Sequence, residues 1–141
     1  MIKNKSSYQK TLKDIQLQEN HIRNEEIRFR QMGLTLEQVE QAVQPLKSFL
    51  ENLKEDALEY EKINDGNFDS MTDFRSIGKI LIAGRIYKGV TQGELAKRLG
   101  VAESQISRDE KNEYYGSSIE KLSTVLSVLE IDLKIAIEMK E

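Results

Sequence analysis

Residues 103–111 surround one aliphatic side chain, Ile106, with hydrogen-bonding groups: Glu103, Ser104, Gln105, Ser107, Arg108 and Lys111. On a short helix that turns Ile106 inward, this set faces outward. Its chemistry suits the edges of bases in a nucleic-acid groove. A guanidinium such as Arg108 can bond guanine through two parallel N–H groups, and a carboxylate such as Glu103 can accept from the cytosine amine. Ser and Gln are permissive partners in the same setting. Glu103 carries a cost there, since it repels phosphate.

Such a helix must be held against a scaffold. Upstream, Thr91 can cap a helix from Gln92 to Leu99, with Glu94 three residues later completing a capping box. Leu95, Ala96 and Leu99 form its inner face. Ala96 is small, as a close crossing by a second helix requires. Gly100 supplies the positive φ of a sharp turn. Val101 and Ile106 are expected to plug the shared core, with the second helix running from about Ala102 to Lys111. Two helices joined by a short Gly-containing turn form a helix-turn-helix unit. Before it, Ile77, Ile80, Leu81 and Ile86 mark a helix ending near Gly89. After it, Asn112–Gly116 reads as a loop in which Tyr114 or Tyr115 can reach a phosphate. A last helix is capped by Ser117 or Ser118, and its apolar face is Ile119, Leu122, Val125, Leu126 and Leu129.

The totals exclude other chemistries. There is no Cys and one His, His21, so disulfides, a thiolate zinc site and a Ser-His pair are not expected. No Gly loop that cradles phosphate is present, and the carboxylates read as a solvated helical face. A non-enzyme without metal or cofactor is expected. No apolar run reaches the roughly 18 residues that cross a bilayer, and Met1–Lys5 is not followed by an apolar segment. A cytoplasmic protein without membrane partners is expected. The net charge is −3, but Arg75 to Lys111 holds eight basic and four acidic residues, or +4, which leaves −7 on the rest. Distribution matters more than the total for a polyanionic partner.

The remaining segments read as an arm and a tail. Residues 6–32 carry Tyr8, Leu12, Ile15, Ile22 and Phe29 on one helical stripe, interrupted by Glu19 and Glu26, with Gly33 as a stop. Residues 35–62 open with a Thr35–Gln38 capping box. Leu36, Val39, Val43, Leu46, Leu50, Leu53, Ala57 and Tyr60 then recur as a heptad seam. Pro45 either kinks that helix or lies in the first turn of a separate one. The seam serves either a coiled-coil dimer or a hairpin with the first helix. Asn64–Asn67 is a turn cluster, and Phe68, Met71 and Phe74 are placed to cover an edge of the next domain. At the end, Ile131, Leu133, Ile135, Ile137 and Met139 alternate with Asp132, Lys134, Ala136, Glu138 and Lys140. That is the pattern of an amphipathic strand. With no second strand evident, it pairs either with its copy in a homodimer or with a partner's sheet edge.

The run Thr91–Glu110, Thr-Gln-Gly-Glu-Leu-Ala-Lys-Arg-Leu-Gly-Val-Ala-Glu-Ser-Gln-Ile-Ser-Arg-Asp-Glu, resembles the xenobiotic-response-element (XRE), or phage-repressor-like, helix-turn-helix family. The resemblance covers about residues 76–130. It implies five short helices, a dimer, and operator reading by the third helix. Thr91 and Gln92 would sit at the DNA, with Gln92 on a phosphate. Glu103, Ser104 and Arg108 would face base edges, and Gln105, Ser107 and Lys111 would flank them. Two departures stand out. Ala102 replaces the usual Ser or Thr cap, and Asp109 stands where an apolar residue is usual. Asp109 is expected to pair with Arg75, Lys79 or Arg85. The layout also resembles HigA-like antitoxins of type II toxin–antitoxin modules, which implies a cognate toxin bound through the helical arm.

A mainly α fold is therefore expected. It comprises a helical hairpin or coiled-coil arm at 1–66, a five-helix lambda-repressor-like domain at 67–130 and a dimerisation strand at 131–141. The expected function is a dimeric repressor of double-stranded operator DNA that autoregulates a toxin–antitoxin operon. The alternative is a protein-interaction adaptor built on the arm.

Overall fold

A computed structural model describes residues 1–141. It divides into two compact units, Met1–Lys62 and Ile63–Glu141. Helix α1 spans Lys5–Gln31 and α2 spans Leu36–Asn64. Asn4 starts α1, its side-chain oxygen accepting the Ser7 amide at 2.7 Å. At the start of α2, Thr35 Oγ1 accepts the Gln38 amide at 3.2 Å and Gln38 Oε1 accepts the Thr35 amide at 2.9 Å. Two otherwise unpaired donors are satisfied reciprocally. Pro45 lies within α2, so it does not begin a separate helix.

The two helices pair antiparallel within the first unit. The Tyr8 ring stacks on Tyr60 with centroids 4.7 Å apart, and its hydroxyl donates to Glu61. Gln18 donates to the Leu46 carbonyl at 3.1 Å, and Lys54 lies 3.9 Å from Glu19. Val39, Val43, Leu50 and Ala57 of the seam are buried, with Ile22 of α1. Of the two readings of the seam, the hairpin is the one observed.

The second unit holds a 3-10 turn, Phe74–Ser76, and four α-helices: α3 (Ile77–Tyr87), α4 (Gln92–Leu99), α5 (Glu103–Lys111) and α6 (Ile119–Val128). Helix α4 packs on α5 and α6, and α3 packs on the same two. Leu81, Ile82, Leu95, Ile106, Val125 and Leu129 close the core. Ser118 caps α6 by accepting the Lys121 amide at 3.1 Å.

Several expectations are corrected here. The unit has four α-helices rather than five. The segment ahead of α3 supplies only the 3-10 turn Phe74–Ser76, and after α5 the expected loop passes through the left-handed region at Glu113 (φ 52) and Tyr114 (φ 57), which ends the helix. The Tyr114 side chain is buried, so only Tyr115 of the pair is exposed. Val101 and Ile119 are exposed rather than in the core, and Phe74 covers no edge. Phe68 does, meeting Tyr87 edge-on at 5.8 Å. Residues 131–141 form no strand: the rest of the chain is helix and loop and offers this segment no second strand to pair with. Leu133, Ile135, Ile137 and Met139 are instead exposed.

One close approach fixes how the chain leaves α5. A Cβ on Gly78 would sit 1.9 Å from the Glu113 carbonyl oxygen, so only glycine lets α3 meet that loop.

Candidate nucleic-acid interface

Helix α4 begins as a complete capping box. Thr91 Oγ1 accepts the Glu94 amide at 3.0 Å, and Glu94 accepts the Thr91 amide at 3.1 Å. It ends on Gly100, whose φ of 69° reverses the chain. The chain then enters α5 after only Val101 and Ala102. Ala96, buried in α4, and Ile106, buried in α5, lie where the two helices pack. Sequence and structure agree on this unit nearly residue for residue.

The buried side of α5 carries a charge that sequence reading did not assign. Glu110, one helical turn beyond Ile106 on the same face, is fully buried, as is Arg85 of α3. Arg85 Nε donates to Glu110 Oε2 at 2.6 Å and a terminal nitrogen donates to Oε1 at 2.7 Å, a two-pronged ion pair. The other terminal nitrogen donates to the Val90 carbonyl at 2.9 Å. Gln92 Nε2 completes the cluster, donating to Glu110 Oε1 at 2.9 Å. The i, i+4 relation of Ile106 and Glu110 was the signal available. It marks Glu110 as the inward residue, and Asp109 as its neighbour on the flank.

Asp109 is held elsewhere than expected. Its Oδ1 accepts from Gln105 at 3.0 Å, and its Oδ2 lies 2.8 Å from the Lys121 ammonium of α6. That oxygen has no aligned hydrogen bond, so the Lys121 contact is electrostatic rather than directional. Lys121, on α6, is not among the bases expected for it.

The outward side chains divide into two groups. Ser104, Ser107, Arg108 and Lys111 are exposed along α5. Arg108 is steadied by Gln105, whose Oε1 accepts from its terminal nitrogen at 2.9 Å. Gln105 thereby links Arg108 to Asp109. Thr91 is exposed, with its hydroxyl engaged in the cap, while Gln92 is half-buried on Glu110. The Glu103 carboxylate turns back toward α4, where a Cβ on Gly93 would lie 3.3 Å from its Oε2. There it faces the positive end of the α4 dipole. Ala102 offers α5 no side-chain cap. The Arg85–Glu110 pair is internal, so the basic excess between Arg75 and Lys111 rests on the remaining seven basic and three acidic residues, still +4.

Residues 83–135 match the model of a helix-turn-helix family, a stretch that contains α4, α5 and α6 entire. The match supports a DNA-binding transcription regulator of the XRE type and is not to an enzyme family. No curated protein and no solved structure matches the chain. No helix is long and apolar enough to cross a membrane.

Proposed function

We propose that this protein is a dimeric, sequence-specific repressor that reads operator DNA with α5 and autoregulates a toxin–antitoxin operon. The observation that carries the DNA-reading part is the exposed Arg108 on a helix locked to α4 through Gly100. Its guanidinium is steadied by Gln105 and open to a guanine edge. Ser104 and Ser107 lie beside it, Lys111 reaches a flanking phosphate, and Thr91 with Gln92 meets the backbone at the start of α4. The alternating segment Ile131–Met139 supports a dimer through an antiparallel ribbon, and two linked half-sites raise affinity through effective concentration. For the toxin, support comes from the arm. Helix α2 carries seven acidic against three basic residues, a surface suited to a basic partner.

The test selects bound duplexes from a random-sequence pool with the full chain, then titrates the selected duplex with Arg108→Ala. Affinity falls about tenfold or more, with preference relaxed at one base position. Wild-type affinity falls steeply with added salt, since phosphate contacts release counterions. Undiminished binding by Arg108→Ala overturns the assignment of α5. A chain that selects no duplex, and whose weak binding ignores salt, points to the adaptor reading. The toxin part is tested by growth. A small basic reading frame is expected beside the gene; its expression arrests cells and co-expression of this chain relieves the arrest, and the absence of such a frame overturns the toxin part.

A further inference from the structure

The last ten residues carry a charge pattern that specifies its own partner. The polar face reads Asp132, Lys134, Ala136, Glu138, Lys140, or minus, plus, neutral, minus, plus. Reversed and laid against itself about Ala136, every charge meets its opposite. Asp132 faces Lys140 and Lys134 faces Glu138, each pair occurring twice across a two-fold axis. The apolar face is matched in the same register, with Leu133 opposite Met139 and Ile135 opposite Ile137. A slip to centre on Ile135 places Asp132 against Glu138. A slip to centre on Ile137 places Lys134 against Lys140. Like charges directly opposite are destabilising, and slips by an odd number set apolar against polar.

The segment also starts from a fixed point beside an unfilled apolar site. Helix α6 ends with Glu130 at φ 56, and the Ile131 amide donates to the Leu126 carbonyl at 2.9 Å. Ile131 then reaches over Gly84 of α3. It and Leu133 edge a largely apolar pocket of about 420 Å³, whose other walls include Phe68, Met71, Ile80 and Tyr87. Beyond the pocket the apolar side chains project into solvent, with Ile135 72%, Ile137 83% and Met139 86% exposed.

We infer that the tail of a second copy completes this site. The two tails pair antiparallel with Ala136 on the two-fold axis, and the partner's Met139, opposite Leu133, closes the pocket. This rests on the dimeric reading above and adds to it a register and an occupant.

The chain has no cysteine, so single substitutions report the register directly. Directly opposite residues in an antiparallel pair have Cα atoms about 4.5–5.5 Å apart, within disulfide reach. Under mild oxidation of the dilute full chain, Ala136→Cys forms disulfide-linked dimers. Ile135→Cys alone does not, and an equimolar mixture of Ile135→Cys and Ile137→Cys forms mixed dimers. Lys134→Glu weakens the dimer about tenfold in analytical ultracentrifugation, and adding Glu138→Lys restores it. Met139→Ala weakens it several-fold. Cross-linking through Ile135→Cys instead of Ala136→Cys, or indifference to Lys134→Glu, overturns the register. A dimer that persists without any of these cross-links places the contact elsewhere and leaves the repressor reading standing. A chain that is monomeric at all concentrations overturns the dimer as well.

Discussion

Replacing Glu110 by Gln isolates the charge at the centre of the helix-turn-helix core. The side chain keeps its shape, but Arg85 loses both charged contacts and faces an amide that presents N–H groups toward its own. Arg85 and Glu110 side chains are 3% and 1% exposed, so no water can stand in for the lost carboxylate. Breaking one side of a buried ion pair costs about 3–5 kcal/mol, against a typical total of about 5–15 kcal/mol. The opening equilibrium of this unit should rise by roughly a hundredfold to several-thousandfold. Native-state hydrogen exchange on peptides from α3 to α5 reads that quantity locally. The paired change Arg85→Met with Glu110→Leu removes both charges together and is expected to leave stability near or above the wild-type level. In that variant Gln92 loses its acceptor and DNA affinity drops while the fold persists, which separates positioning from stability. A cost below about 1 kcal/mol for Glu110→Gln would refute the claim that the pair is dry and mutually dependent.

Further outcomes follow from individual residues. Glu103→Gln removes a negative charge from the face proposed to meet DNA and should raise affinity several-fold at low salt, with the gain shrinking as salt screens it; anisotropy titrations at two ionic strengths read this. Gly100→Ala places a Cβ at φ 69° and should cost about 1–2 kcal/mol by urea unfolding. Thr91→Ala loses the α4 cap and about 1 kcal/mol by the same assay. Burial, with the nearby Glu110 and Asp109 carboxylates, pushes the Tyr114 phenol well above its ordinary range. A raised folded-state value means its stabilisation is complete below about pH 10 and is lost as pH rises beyond. Tyr114→Phe should flatten that alkaline loss, and an ultraviolet titration should show one tyrosine ionising only on unfolding.

The parts legible in the sequence are those governed by local rules. The boundaries of α4, its capping box, the left-handed Gly100 and the burial of Ala96 and Ile106 follow from neighbouring residues alone. The capping box at Thr35 and the two arm helices were legible for the same reason, although the seam did not say whether its partner lay in the same chain. What escaped reading depends on residues far apart in sequence. Arg85 counted as part of a basic patch until Glu110, 25 residues later, was seen to bury it. Gln92 read only as a phosphate ligand, with no sign in its neighbours that its amide also donates to the same carboxylate. The contact of Asp109 with Lys121 was missed because that lysine approaches only once α6 has docked. Tyr114 adopts a backbone conformation that its residue type does not advertise.

Helix α5 is held more firmly by side chains at its far end than at its near end. Its far end is tied by Glu110 to Arg85 and Gln92, by Asp109 to Lys121, and by the Glu113 carbonyl pressed against Gly78. Its near end begins on Ala102 with no side-chain cap. The side-chain ties therefore gather around Arg108, while Glu103 and Ser104 are held mainly by the Gly100 turn. On the proposed reading of DNA by α5, the strictest contact falls to Arg108, on the stretch that the most side chains hold in place.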